Sequence, residues 1–485
     1  MILSNLPLLM TGAFLLFTLA AGLYFSKKTT SLKEYAVGNK NFATATLVAT
    51  VLATIYGGGG LIRNVQQVYE LGFLWLVYLF LSNFGVLIIS PLASRMSPFM
   101  LNISIAETIG SIYGRMPRII TALSGIAVAI TSLAIQINVI QLVLGMCTDM
   151  VDPRIITIIA TLILIFYSTF GGIRAVTYTD ALQFITFLVI IPVLAWLIFQ
   201  KTEKSIGEMI TFLGEQEKFQ LNTVLTRHAS LISVIMLVLS SLVSCINPDI
   251  MQRVYMASSP IQAKRVFLYS GLLSIFIKIF IILVGIGVFV VSPNLSIQDI
   301  WGFIINNMHP FFKGLICISL FAMAMSTADS NLNSCSVLIS HDIVESIRGK
   351  QITTWNGLGL VRATSLIVGL SAMIVTFYYK DLLALLKLSF DLSIPIITAP
   401  FLLAVFGFRG TSTTALIGMV TGALTMIIWK IWIVSKTNID GSFLCMLANG
   451  IAMMVAHYSR PQPEGTGWMK EDDEVLKTSV KDLPI

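Results

Sequence analysis

The sequence predicts an all-α membrane protein with about thirteen transmembrane helices, and three observations support this fold class. First, 56% of the 485 residues are hydrophobic and only 11% are charged, whereas soluble proteins carry roughly 25% charged residues. Second, apolar runs of about 18 residues or more recur along the chain, each bounded by charge, proline or glycine, as expected for helices that cross a bilayer. Third, two of these runs are interrupted in the middle, which membrane helices tolerate only where protein or a water-filled cavity surrounds the break.

The predicted spans form a single transmembrane domain, residues 1–457, followed by a charged tail, 458–485. The spans cover residues 4–25, 43–68, 71–94, 117–146, 153–172, 178–200, 229–255, 266–292, 311–340, 357–378, 382–407, 412–435 and 440–457. An odd number of spans places the termini on opposite sides of the bilayer. Lysine and arginine, including Arg253, are more frequent in the loops that face inward if the N-terminus is outside. We therefore predict a multi-pass protein of the plasma or inner membrane with a cytoplasmic tail.

The two interrupted spans predict a repeat. The second span contains "ATIYGGGGLIR", and each glycine in a helix interior costs roughly 1 kcal/mol relative to alanine. The seventh contains "SSLVSCINPDIMQ", in which Pro248 disfavours helix at Asn247. Close helix packing and a simple proline kink are the alternatives. Because each break lies in the first helix of a set of five, we predict an inverted repeat of spans 2–6 (43–200) and 7–11 (229–407), with a transport site at the breaks.

The ninth span contains the polar stretch "FAMAMSTADSNLNSCSVLIS". Ser326, Asp329, Ser330 and Asn333 fall on one face of a helix, and a carboxylate inside a membrane costs roughly 2.5–3.5 kcal/mol. Hydroxyls with a carboxylate would suit a partly dehydrated monovalent cation. The alternative is a polar seam between helices. A second carboxylate, Asp180, begins span six, where a helix N-cap is the alternative.

Four segments together resemble the sodium:solute symporter family. They are "EYAVGNKNF", "GGIRAVTYTDALQ", "MQRVYMASSPIQAKR" and "AMSTADSNL", in this order along the chain. Within the family, "LATIYGGGGLIRNVQQVYELGF" and "STADS" look closest to the choline-transporter-like branch. The resemblance implies an inverted five-helix repeat and sodium-coupled import of a solute by alternating access.

The resemblance also implies ligands for sodium. The principal site would use the carbonyl oxygens of Ala53, Tyr56 and Met323 together with the hydroxyls of Ser326 and Thr327. A second cation site, present in some members of the family, would fall to Asp180, Ser326 and Ser330. Asp329 stands where such members often have serine, so it could strengthen the second site, carry a proton or face elsewhere.

A charged pair in the outer half of the membrane would form a gate. Arg63 lies two helical turns after Tyr56, and Asp391 lies in "LLKLSFDLSIP". Because either charge would be costly at membrane depth without a partner, we predict that they pair across the pathway. Arg63 could instead hold a substrate carboxylate, and Asp391 could pair with Lys387.

The substrate prediction rests on the residues around the breaks. A quaternary amine favours an aromatic cage, but none of the seven tryptophans lies at either break, which argues against choline. The predicted substrate-binding residues are Gly57, Gly60, Gln136, Ser240, Ser244 and Asn247. They favour a small polar solute such as a carboxylate or an amino acid.

These features predict a sodium-coupled symporter rather than an enzyme. The four histidines are scattered, and the sequence has no HExxH motif. A proton-coupled transporter of the same fold and a transporter-like sensor are the alternatives, although the tail after span thirteen leaves little room for a signalling domain. We expect sodium as the co-transported ion, no organic cofactor, no nucleic-acid partner, and a monomer or weak oligomer in the lipid bilayer.

Overall fold

The described chain is almost entirely helical. A computed structural model describes residues 6–26, 31–147, 152–222, 228–349, 354–379, 381–437 and 439–469. The helices are Leu6–Phe25, Leu32–Val37, Thr44–Ile55, Gly58–Leu71, Phe73–Ser82, Phe84–Ser94, Ile105–Tyr113, Arg115–Cys147, Pro153–Lys201, Ile206–Glu215, His228–Val243, Pro248–Met256, Pro260–Val291, Ile300–Asn306, Pro310–Val337, Thr354–Tyr378, Leu382–Ser393, Ala399–Val405, Ser412–Trp429 and Ser442–Tyr458. Three π-helical segments, Leu338–Glu345, Ile394–Thr398 and Lys430–Val434, continue the helices that precede them.

The helices confirm the predicted class of membrane protein. Within the described ranges, ten helices are long and apolar enough to cross a membrane, or eleven if one bent pair counts as a single span. Two predicted spans appear as one helix, Pro153–Lys201, which is kinked at Gly172 (φ 59°, ψ −169°), and the last predicted span is the shorter helix Ser442–Tyr458. The number thirteen, the inverted repeat and the orientation of the termini stay predictions.

The first broken helix consists of Thr44–Ile55 and Gly58–Leu71, which meet at an angle of 60°. Its glycines allow the break to pack closely. A Cβ at Gly58 would lie 2.7 Å from a methyl group of Val139 and 2.9 Å from the Leu320 carbonyl oxygen. The glycine run therefore breaks the helix and brings the break against its neighbours.

The second broken helix consists of His228–Val243 and Pro248–Met256. Asn247 is extended (φ −109°, ψ 155°), and Pro248 begins the second half. Proline suits the first position of a helix because its missing amide proton is not needed there. Both interruptions predicted from the sequence are therefore present as real breaks.

The polar ninth span forms the centre of the bundle. We call helix Pro310–Val337 the serine-rich helix. It packs against Arg115–Cys147 and Pro153–Lys201, and every residue from Ser319 to Val337 is buried. Its hydroxyls and carboxylate therefore face protein and not lipid, as intramembrane polar groups usually do.

The beginning of the predicted tail folds back onto the domain. Gly467–Trp468 pairs antiparallel with Phe408–Arg409, and the Trp468 ring packs near Phe408, with 5.4 Å between the ring centroids. Residues 470–485 of the predicted tail lie outside the described residues. The beginning of the tail thus contacts the domain, and the division at residue 457 stays a prediction.

Candidate functional site

The first break releases backbone carbonyl groups at the end of Thr44–Ile55. Tyr56 follows this helix with a non-helical backbone (φ −90°, ψ 74°), so carbonyls of the last turn lose the amide partners of a continuous helix. The Tyr56 side chain anchors the break, because its hydroxyl donates to the Ser274 carbonyl (3.0 Å) and lies 2.6 Å from Ser274 Oγ.

Two hydroxyls of the serine-rich helix contact these released carbonyls. Ser326 Oγ donates to the Ala53 carbonyl (2.9 Å) and to the Met323 carbonyl (3.1 Å). Thr327 Oγ1 lies 3.2 Å from the carbonyl oxygens of both Ala53 and Thr54. Four predicted sodium ligands therefore lie within hydrogen-bonding reach of one another. We call this group, together with the Tyr56 carbonyl that follows it, the neutral cluster.

The neutral cluster has the chemistry that a small hard cation requires. Its members are uncharged carbonyl and hydroxyl oxygens in the buried centre of the bundle, and hard cations prefer oxygen ligands. A hydroxyl proton can rotate, which turns an oxygen lone pair toward a bound ion. A cation could therefore bind by replacing hydroxyl–carbonyl hydrogen bonds, and no charged side chain would have to move.

A second polar group, which we call the charged cluster, surrounds Arg253. Its members are Thr50, Asp180, Arg253 and Ser330, which come from four different helices and are fully buried. Arg253 Nη2 lies 3.4 Å from Asp180 Oδ2 and donates to Ser330 Oγ. Thr50 donates to the same Asp180 oxygen. Ser330 also connects the two clusters, because its hydroxyl lies 3.0 Å from that of Thr54.

The burial of Arg253 corrects the prediction that it is a loop cation. The second broken helix restarts at Pro248, and its short second half remains inside the bundle to Met256. Arg253 is therefore held where Asp180 and Ser330 meet. The sequence could have indicated this burial, because Arg253 lies in "INPDIMQRVYM", only five residues after a break in an apolar span.

The predicted second cation site is brought together only in part. Asp180 and Ser330 are neighbours, and both are contacted by the guanidinium of Arg253. Asp329 faces another partner, because the Tyr167 hydroxyl donates to its Oδ2, and its Oδ1 is buried without a hydrogen-bond partner.

A cavity of about 230 Å³ lies between the two breaks. Five of the six predicted substrate-binding residues line it: Gly57, Gly60, Gln136, Ser244 and Asn247. Thr327 also lines the wall, so the cavity touches the neutral cluster. Ser240, the sixth predicted residue, is not among the residues that line the cavity. It lies one turn before the break, within the intact helix, and its hydroxyl donates to Asp440.

The cavity also contains two charged side chains, Arg63 and Asp249. Arg63 lies over the ring of Trp75 at 4.9 Å from the centroid. Sequence reasoning did not single out Asp249, although it stands directly after Pro248 at the second break, the position that could have indicated it.

The predicted contact between Arg63 and Asp391 is not made in this structure. Asp391 Oδ2 accepts a hydrogen bond from Lys430 Nζ at 3.1 Å, and both line a separate pocket with Lys387 and Asp440. The physical reason is that Lys430, which follows helix Ser412–Trp429, has its ammonium group within hydrogen-bonding distance of Asp391. A gate formed by Arg63 and Asp391 stays a prediction.

Comparisons with known proteins agree on one family. The sequence model of the sodium:solute symporter family matches residues 35–422. The sodium/sialic acid symporter NanT of Aliivibrio fischeri is 22% identical over 357 residues, which cover 68% of this chain and 68% of that protein. Sodium/proline symporter 2 of Staphylococcus saprophyticus is 27% identical over 296 residues, 58% of this chain and 56% of that protein. The match thus spans little more than half of the proline symporter.

Solved structures show the same fold. An outward-open, substrate-bound Na+-coupled sialic acid symporter superposes with a TM-score of 0.80 at 20% identity, and covers 94% of this chain and 98% of that one. A nucleobase-cation-symport-1 family transporter in a closed conformation superposes with a TM-score of 0.60 at 13% identity, and covers 95% and 97%. These relatives and structural neighbours are transporters, not enzymes. The choline-like branch stays a prediction.

Proposed function

Because the chain belongs to the sodium:solute symporter family, we propose that it imports a small carboxylate-bearing solute by alternating access, driven by one sodium ion. The observation that carries this proposal is the contact between the neutral cluster and the cavity. Thr327 lines the cavity, and its hydroxyl lies 3.2 Å from the Ala53 carbonyl oxygen. An ion held by Thr327 would therefore sit beside the solute.

The sodium ion binds at the neutral cluster in this proposal. Its ligands are the carbonyl oxygens of Ala53, Tyr56 and Met323 and the hydroxyls of Ser326 and Thr327. These oxygens come from the first break and from the continuous serine-rich helix. Sodium thus stabilises the arrangement in which the two elements touch, which couples ion binding to the shape of the cavity.

One sodium ion, and not two, is the proposed stoichiometry. The charged cluster already contains the cation that balances Asp180, since Arg253 lies 3.4 Å from it and is fully buried. A second sodium ion there would meet the positive charge of the guanidinium at close range, which is unfavourable. Arg253 takes the place of a second ion.

The solute is assigned by size and charge. A cavity of about 230 Å³ lies below the roughly 300–1,000 Å³ of sites for drug-sized ligands. Sialic acid and proline, the solutes named for the relatives, both carry a carboxylate. Arg63 lines the cavity, and guanidinium groups bind carboxylates with two parallel hydrogen bonds.

The test measures the thermal stability of the purified protein at increasing sodium concentration, with potassium replacing sodium at constant ionic strength. Sodium at 100 times its dissociation constant should stabilise the wild type by about 2.7 kcal/mol, and Ser326→Ala should lose this increment. Ser319→Ala is the matched control, since it removes another buried hydroxyl of the same helix two turns away. Equal stability in sodium and potassium would contradict the proposal and favour the proton-coupled alternative.

A further inference from the structure

The cavity between the breaks is lined by two residues of opposite charge. Arg63 comes from the first broken helix and Asp249 from the second, and both line the cavity. No ion pair joins them, although both belong to the part of the chain that the structure describes. A solute in the cavity therefore meets a positive residue from one broken helix and a negative residue from the other.

Polar atoms without partners mark the places where the solute must supply hydrogen bonds. Arg63 Nε is a buried donor without an acceptor, and Gln136 Oε1 and Asn247 Oδ1 are buried acceptors without donors. Buried polar groups are normally paired, and each one left unpaired is costly. The free donor lies on the cationic residue, whereas the free acceptors lie on neutral amides, with Gln136 beside Gly57 at the first break and Asn247 at the second.

The position of Asp249 suits an ionised carboxylate. It is the second residue of the nine-residue helix Pro248–Met256, and the positive end of a helix dipole favours a negative charge in the first turn. Arg253, one turn later, donates to the Asp249 backbone carbonyl (3.0 Å), while the charge of its guanidinium faces Asp180. Among the described residues no ion pair involves the Asp249 carboxylate, and Asp249 lines the cavity.

We propose that the solute is a small zwitterion, an inference that rests on the proposed symport function. Its carboxylate binds Arg63, and its ammonium group binds Asp249 with help from the amide oxygens of Gln136 and Asn247. Both charges of the cavity are then neutralised by one ligand. A solute with a carboxylate alone would leave Asp249 without a partner in the cavity, and an amine alone would do the same to Arg63, which is unfavourable in a membrane interior.

Matched series of ligands test this inference on the wild-type protein. Thermal stability is measured in saturating sodium with the twenty protein amino acids and glycine betaine. The most effective zwitterion is then compared with its two singly charged analogues: for proline, these are cyclopentanecarboxylate and pyrrolidine. The zwitterion should bind at least about 30-fold more tightly than either analogue, as expected for a buried charge left unpaired.

Two variants test the two proposed contacts of the solute separately. Asp249→Asn should lose the preference for the zwitterion and bind the carboxylate analogue at least as well as the wild type does. Arg63→Gln should retain the amine analogue and lose the carboxylate. Asp299→Asn is the matched control, because its carboxylate is exposed and its partner is the nearby Ser296.

The outcomes separate this inference from the proposed function. If sodium stabilises the protein but no zwitterion does, or if the carboxylate analogue binds as tightly as the zwitterion, the inference fails and sodium-coupled symport stands. If sodium itself gives no specific stabilisation, the proposed function fails first. Loss of the zwitterion preference in Asp249→Asn, with the sodium response retained, would support the inference.

Discussion

The neutral cluster and the charged cluster lie against the same broken helix, yet they satisfy their polar groups in opposite ways. In the neutral cluster, Ser326 and Thr327 donate to backbone carbonyls that the break released, and no charge is present. In the charged cluster, Asp180 already has a cation in Arg253. The first cluster can therefore gain from an added ion, whereas the second already holds a positive charge beside its carboxylate.

This difference indicates how the chain distributes its polar groups between coupling and structure. A buried charge pair is costly to break, so Arg253 and Asp180 form a permanent connection between the second broken helix and the helix Pro153–Lys201. Neutral oxygens cost less to expose or to rearrange. A site made of them can depend on the sodium concentration, as a coupling site must.

The largest expected effect tests the permanence of the charged cluster. Arg253→Met should lower the free energy of unfolding by about 3–5 kcal/mol, because Asp180 would stay buried without its partner. Thermal unfolding in detergent measures this change, and adding Asp180→Asn should restore much of the loss. Arg265→Met, which removes an exposed arginine, serves as the control. A similar loss in the double variant would mean that packing and not charge is what Arg253 contributes.

The next effect compares the two clusters directly. Thr327→Ala should shift the sodium concentration at half-maximal stabilisation upward by about tenfold, equivalent to about 1.4 kcal/mol, because one ligand is lost. Ser330→Ala should cost about 1.5–3 kcal/mol of stability through its lost bond to Arg253, with the sodium midpoint unchanged. A comparable shift of the midpoint in Ser330→Ala would show that sodium also binds at the charged cluster.

The smallest expected effect tests whether the hydroxyl of Thr327 is a sodium ligand. Thr327→Ser keeps the hydroxyl and loses one methyl group, so its sodium midpoint should stay within about twofold of the wild type, and its stability within about 1 kcal/mol. Thr327→Val keeps the shape without the hydroxyl and should behave like Thr327→Ala in the same titration. If serine and valine were equivalent at this position, the hydroxyl could not be a ligand.

Some parts of the site followed from local sequence alone. The four glycines and Pro248 cannot continue a membrane helix without cost, so both breaks were predictable, and both are present. The spacing of Ser326 and Ser330 places both on one side of a helix. Because such hydroxyls avoid lipid, the burial of the serine-rich helix followed as well.

Other contacts depended on elements far apart in the chain. Ser240 and Ser244 are four residues apart, yet Ser240 lies within helix His228–Val243 and donates to Asp440, whereas Ser244 follows the end of that helix and lines the cavity. Asp391 could have met Arg63, Lys387 or Lys430, and the structure pairs it with Lys430. Local spacing contains no information on such choices.

The sequence by itself determined the membrane class and the two breaks, because hydrophobicity and backbone propensity are local properties, and its resemblance to the family indicated the hydroxyls of the neutral cluster. Only the tertiary structure decided that Arg253 lies against Asp180 and that Arg63 and Asp249 share a cavity. These pairs join helices distant in sequence, and the energy of a buried charge depends on which groups the packing brings within a few ångströms of it.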